Sequence, residues 1–178
     1  MKDVGFSVSH TTRKKRPTEE EGRDYYFIGE HEFQDMIRNQ RWLEWAEVHG
    51  HFYGTSRGEI EKKALSGDVM LDIDVQGAAQ VRAKRRNATF IFIFPPRFKE
   101  LKKRLEKRGE DDEETILRRL ETAQREIRCY PDFDYIVIND DLEKAAGECK
   151  SVITAARCRL PVRKKEILPI LESFTRED

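Results

Sequence analysis

The stretch VMLDIDVQG (residues 69–77) is an apolar strand that runs straight into Asp74 and then, three residues on, a glycine. Two other stretches share its character: TFIFIF (residues 89–94), ended by Pro95-Pro96, and DYIVI (residues 134–138), ended by Asn139-Asp140-Asp141. All three are apolar on both faces, and helical stretches lie between them. That pattern belongs to a parallel sheet covered on both sides. In such sheets ligands sit beyond the carboxyl ends of the strands. Two of these ends carry acids, Asp72 and Asp74 at one and Asp140 and Asp141 at the other. Each acid can equally cap the helix or loop that follows. Gly77 lets the backbone approach a ligand near Asp74.

Working outward, residues 4–9 alternate like a strand, and residues 13–24, with Pro17 and Gly22, form a charged loop. Residues 25–28 make a short strand. Phe33, Met36 and Ile37 recur at helical spacing, and Leu43 and Ala46 continue the face, so residues 32–48 are expected to be one helix stopped by Gly50. FYGTS (residues 52–56) reads as a tight turn, and residues 59–65 as a short helix closed by Gly67. Residues 99–107 are helical, with Leu101 and Leu105 inward and Arg104 and Arg108 on one face. Gly109 breaks that helix. An acidic start at residues 111–114 opens the next, which carries Arg119 and runs through Ile116, Leu120 and Ile127. Residues 142–160 form a long amphipathic helix. Residues 167–174 close the chain as a helix with Pro169 in its first turn.

The 178 residues allow one domain with small subdomains. Apolar and charged residues each make up 38%, so the chain is globular and charge-rich. Net charge is zero, which leaves no global field to draw in nucleic acid. Three cysteines at unpatterned spacing suit a reducing, cytoplasmic setting. The longest apolar run, residues 90–94, is too short to cross a membrane, and MKDVGF lacks an apolar leader segment. The four histidines have no metal-ligand spacing, and no serine sits in a nucleophile elbow.

Two further constellations carry chemistry. SVSHTTRKKRPTEEEGRDYY (residues 7–26) packs hydroxyls, Arg13, Arg16, Tyr25 and Tyr26 into one short segment. Guanidinium forks bind oxyanions bidentately, and hydroxyls fill the remaining lone pairs, so the segment suits a phosphate; a solvated basic loop has the same composition. Glu44 lies in WLEWAEV between Trp42 and Trp45. If buried, its carboxylate needs donors; guanine offers a pair on N1 and the exocyclic amine, with Thr55 beside it. Arg104, Arg108 and Arg119 around Gly109 form either a solvated face or a mobile lid of the kind phosphoryl transfer uses.

SVSHTTRKKRP, GRDYYF, WLEWAEV, FYGTS, LDIDVQG, FIFPP, LKKRLEKRG and YIVINDD together resemble the guanylate kinase family, in that family's order and across essentially the whole chain. The resemblance implies an α/β fold: a P-loop NTPase-like three-layer parallel-sheet core (residues 1–8, 66–98 and 125–178), a small mixed GMP-binding subdomain (9–65) and a helical lid (99–124). It implies transfer of the γ-phosphoryl of ATP to GMP or dGMP with Mg²⁺, by a cytoplasmic monomer or homo-oligomer without nucleic-acid or membrane partners. Ser9, Arg13, Arg16 and Tyr25, with Tyr53, would grip the GMP phosphate. Glu44 and Thr55 would read the guanine edge, with Asp72 nearby. Asp74 would serve the Mg²⁺ shell. Arg104, Arg108 and Arg119 would bridge the two nucleotides' phosphates, with Arg13 and these three as the catalytic set, and Arg104, Arg108 and Asn139 would contact ATP.

One family element is absent: no G-x-x-x-x-G-K-[ST] occurs in the 178 residues. The nest for the β-phosphate, its lysine and a hydroxyl ligand for Mg²⁺ therefore have no counterpart in this sequence. The expectation is an N-terminally incomplete guanylate kinase that binds GMP with the residues at hand. The competing function is a non-catalytic guanylate-kinase-like binding module without an ATP site. Such a module has no physical reason to keep three arginines for ATP phosphates. An RNA-binding domain has less support, for want of aromatic stacking platforms and positive charge.

Overall fold

The computed structural model describes residues 1–85, 87–109 and 112–175. In chain order the elements are β1 (Val4–Phe6), β2 (His10–Thr11), β3 (Tyr26–Phe27), α1 (Glu30–Arg38), β4 (Trp42–Val48), β5 (His51–Ser56), α2 (Arg57–Ala64), β6 (Asp68–Met70), α3 (Val75–Lys84), β7 (Ile91–Phe94), α4 (Phe98–Arg108), α5 (Glu113–Glu126), a 3₁₀ turn (Ile127–Asp132), β8 (Tyr135–Ile138), α6 (Leu142–Arg157) and α7 (Leu160–Thr175). They fall into two units. The first combines Met1–Ala88 with Gly109–Cys129, and the second Thr89–Arg108 with Tyr130–Asp178.

The first unit holds a parallel pair, β1 with β6, and a four-stranded sheet ordered β3-β2-β5-β4. The second holds the parallel pair β7–β8, with Ile91 opposite Tyr135 and Phe94 opposite Ile138. The Asp134 carboxylate accepts the Phe90 N–H (2.8 Å), and the Asn139 N–H extends the pair to the Phe94 carbonyl (2.8 Å). Parallel pairing and the intervening helices agree with the α/β expectation. The strand foreseen at 69–73 is shorter, ending at Met70. Of the acidic start expected at 111–114, Asp112 caps α5 by accepting the Thr115 N–H and the helix begins at Glu113; Asp111 lies outside the described residues.

The largest departure lies between residues 32 and 56. The expected single helix is a helix followed by a strand, and the expected tight turn is a second strand. The reason is local. α1 ends in a Schellman motif: Arg41 N–H bonds to Met36 O and Gln40 N–H to Ile37 O (3.0 Å each), with Gln40 at φ 51°. That left-handed position normally carries glycine, so the stop has no sequence marker. After it, WLEWAEV alternates. β4 and β5 meet in a hairpin whose two-residue turn, His49-Gly50, has φ 53° and 79°, the both-positive pattern of a type I′ turn. Gly50 is therefore a hairpin residue and not a helix stop.

The pleat sorts the two sides of this sheet. Trp42, Trp45 and Phe52 face one way and pack on the fully buried Phe33 of α1, with ring centroids 4.3, 6.5 and 5.3 Å away. Glu44, Tyr53 and Thr55 face the other way. In the second unit, α7 begins at Leu160, seven residues before the expected start, so Pro169 sits inside the helix and not in its first turn. Among the described residues, no helix is long and apolar enough to cross a membrane.

Candidate functional site

The face of the four-stranded sheet turned away from Phe33 carries the chemistry. Thr55 and Tyr53 are two apart on β5, so their side chains share that face roughly 7 Å apart. Glu44 pairs directly with Thr55, and Thr11 pairs with Tyr53. A bulge between Trp42 and Glu44 shifts the register. Bulges re-aim side chains, and here Trp42, Leu43 and Glu44 are all buried in succession.

At one end lies the arginine cluster. Arg13 Nη1 and Nη2 donate to both oxygens of Glu19 (3.0 and 2.5 Å), and Nη1 also donates to the Lys14 carbonyl (2.7 Å). The Arg16 N–H donates to the same carboxylate (2.8 Å), and Arg16 Nη1 stands 3.9 Å from it. The Arg13 guanidinium lies over the rings of Tyr25 (5.5 Å) and Phe27 (5.9 Å), and Tyr25 meets Tyr53 edge-on at 5.9 Å. The Arg13 hydrogen bond holds the Glu19 carboxyl below its ordinary value. Burial, then the neighbouring Tyr53 and Asp72, push the Tyr25 hydroxyl up. Arg13, Arg16, Tyr25 and Tyr53 therefore sit as one group, and Asp72, which the sequence placed by the guanine edge, is near enough to Tyr25 to help raise its hydroxyl. Ser9 is adjacent through its carbonyl, which accepts the Tyr26 N–H (2.9 Å).

Glu19 is the residue that sequence reasoning missed. Its carboxylate occupies both donors of a fork that suits a phosphate. The only signal was an acid three residues after Arg16 inside an acidic run. The hydroxyl run is also spent differently from the expectation. Thr11 Oγ1 accepts the Arg13 N–H (3.1 Å), and Thr12 Oγ1 accepts the Phe52 N–H (2.9 Å), so both serve the backbone.

At the other end, Glu44 is 3% exposed and Thr55 fully buried. Glu44 Oε1 and Thr55 Oγ1 have no hydrogen-bond partner among the described residues. Burial raises the Glu44 carboxyl above its ordinary value, and Thr55 and Lys84 pull part of that back. A buried polar atom without a partner costs about 1–3 kcal/mol, so an unmatched carboxylate oxygen beside an unmatched hydroxyl, which can donate or accept, marks a place built for the polar edge of a ligand.

Asp74 caps α3, its Oδ1 accepting the Gly77 N–H (2.8 Å) and its Oδ2 the Gln76 amide (3.1 Å). Asp141 likewise caps α6 by accepting the Lys144 N–H (2.9 Å). Both acids thus fill the capping role left open by the sequence. Gly77 approaches a side chain of this protein: a Cβ there would stand 2.5 Å from Glu44 Oε2. Glu126 of α5 is also close, its carboxyl raised by burial and by Asp74. Arg119 is carried by α5 in this unit. Arg104, Arg108 and Asn139 belong to the second unit, where Arg104 Nε pairs with Glu100 at 3.3 Å.

The guanylate kinase family model matches residues 1–156. The chain is 45% identical over 168 residues to the guanylate kinase of Thermotoga maritima, covering 94% of this chain and 81% of that protein. It is 48% identical over 164 residues to that of Yersinia pestis, covering 92% and 79%. Among solved structures, the guanylate kinase from Anaplasma phagocytophilum superimposes with a TM-score of 0.75 at 33% identity, covering 88% of this chain and 78% of the other. By family model, sequence and fold together, the chain belongs to the guanylate kinase family.

Proposed function

We propose that this chain works as an ATP:GMP phosphotransferase and that the face of its four-stranded sheet bearing Glu44, Tyr53 and Thr55 receives GMP. The carrying observation is the pair of buried, unmatched oxygens, the Glu44 Oε1 acceptor and the Thr55 hydroxyl, on the same face as the Arg13–Tyr25–Tyr53 cluster. In this assignment an ionised Glu44 accepts from guanine N1–H and the exocyclic amine, and Thr55 completes the edge. Arg13, Arg16, Tyr25, Tyr53 and Ser9 hold the phosphate, with Asp72 beside them. Functionally, residues 9–65 are the GMP-binding part, residues 99–124 the lid, and residues 1–8, 66–98 and 125–178 the core. Arg104, Arg108 and Arg119 neutralise charge on the transferring phosphoryl group, and Asn139 serves the ATP side.

Mg²⁺ uses one or two carboxylates, the rest of its shell being water and substrate phosphates. Asp74 fits that sparse mode, and among the described residues no cluster of three or more His, Cys, Asp or Glu offers a full cage. Bound there, the ion would neutralise phosphate charge.

The test is twofold. Calorimetry with GMP alone should register binding without ATP; absence of heat with both GMP and GDP would contradict the assignment. Incubation with ATP, GMP and Mg²⁺ should yield equal ADP and GDP; ADP without GDP would contradict the transfer.

A further inference from the structure

Helix α3 lies along β4 and touches it at a regular interval. Gly77, Gln80 and Lys84 fall on one face of the helix, and they meet three consecutive strand residues, Leu43, Glu44 and Trp45. The Gln80 amide donates to the Trp45 carbonyl (2.5 Å) and accepts the Trp45 N–H at 3.3 Å. It thus copies the pairing of a neighbouring strand on an edge that has none, since β4 is last in its sheet. Lys84 Nζ donates to the Leu43 carbonyl. The backbone is therefore clamped on both sides of Glu44. Between the clamps, Gly77 leaves room for the carboxylate: a Cβ there would stand 2.5 Å from Oε2 and 3.1 Å from Cδ. The Gly77 N–H is itself fixed by the Asp74 carboxylate.

We infer that α3 is the positioning element for the base-reading carboxylate, with Gly77 setting base specificity through the room it gives Glu44 and Gln80 holding the strand that carries it. This rests on the proposal that Glu44 receives guanine's donors. A carboxylate aims at two donors only if its plane is fixed, and Glu44 has three rotatable bonds with one oxygen unpartnered. The fixing comes from the shape of α3. Gly77 lies in the first turn of α3, where alanine still costs less backbone entropy than glycine, so Gly77→Ala does not oppose the helix itself. Its added methyl displaces the Glu44 carboxylate.

The experiment compares wild type, Gly77→Ala, Gln80→Leu and Glu44→Gln by calorimetry with three probes: GMP, inosine monophosphate, which lacks the exocyclic amine, and inorganic phosphate. Gly77→Ala should lose about tenfold or more in GMP affinity, the loss of at least one charged hydrogen bond. Its preference for GMP over inosine monophosphate should collapse toward one, and its phosphate affinity should stay put. Gln80→Leu should move the same ratio by a smaller factor, and it decides the matter if Gly77→Ala does not fold. Folded variants with the wild-type ratio, or ones that lose GMP and phosphate equally, would overturn the inference. If Glu44→Gln loses the preference while both α3 variants keep it, positioning alone fails. If Glu44→Gln also keeps it, the base-reading assignment fails as well.

Discussion

The two ends of the candidate site solve opposite problems. At the arginine end, an internal carboxylate already fills the fork: Glu19 takes both Nη donors of Arg13 and the N–H of Arg16. At the acid end, Glu44 and Thr55 are buried, and Glu44 Oε1 and the Thr55 hydroxyl go unmatched among the described residues. The first end is electrostatically satisfied, so an incoming phosphate exchanges one anion for another. The second carries a desolvation cost that Thr55 and Lys84 relieve only in part, and a ligand with matching donors removes more of it. Charge recognition can therefore be held in readiness by the protein's own residues. Base recognition is left for the ligand to complete.

The sharpest way to break this contrast is at Glu44. Glu44→Gln should weaken GMP by about 3 kcal/mol with little effect on inorganic phosphate. It should also raise the melting temperature of the unliganded protein, because it removes a buried charge whose burial Thr55 and Lys84 offset only in part. Binding and stability moving in the same direction would contradict the contrast.

Arg16→Ala comes next, with GMP weakened by about 2 kcal/mol. The same loss should appear with inorganic phosphate, since that contact ignores the base. Calorimetry with both ligands decides it, and an unchanged GMP affinity would remove Arg16 from the grip.

Glu19→Gln is smaller and of opposite sign. Releasing the fork should tighten inorganic phosphate by about 1 kcal/mol while costing the fold about the same. Weaker phosphate binding would mean that Glu19 helps the anion and does not stand in its place.

The pH dependence of stability gives the smallest effect. Glu19 titrates below its ordinary 4.5, because Arg13 bonds its ionised form. Its stabilisation is present above 4.5 and fades as pH falls through the lowered value. Glu44 titrates above 4.5 because of burial. Its contribution is present below 4.5 and fades as pH rises through the raised value. Thermal melts of the unliganded protein should therefore lose the acid-side decline in Glu19→Gln and the rising-side decline in Glu44→Gln, each change being roughly 1 kcal/mol or less. Identical pH profiles for the two variants would erase the distinction.

Much of the fold was legible because the apolar runs at 91–94 and 135–138 are short and bounded by turn residues, and α4 and α6 carry clear periodicity. The hairpin β4–β5 was not. WLEWAEV is rich in Leu, Glu and Ala, which favour helices, and its boundaries rest on Gln40 and His49 in left-handed conformations where glycine or asparagine is the usual marker. The acids and arginines of the site were visible as residue types. Their relations were not, because the Arg13–Glu19 fork, the bulge beside Glu44 and the α3 clamp depend on register and on contacts across distant segments. Gly77 shows the limit well: its need for close approach was readable, but the group that approaches is Glu44 of this chain.

The most direct measurement is a calorimetric titration of the wild-type chain with GMP, inosine monophosphate and inorganic phosphate in the same buffer. The account predicts affinity falling in that order, with GMP at least tenfold tighter than its deaminated analogue, the worth of about one charged hydrogen bond. Equal affinity for GMP and inosine monophosphate, or no heat with GMP at all, would contradict it.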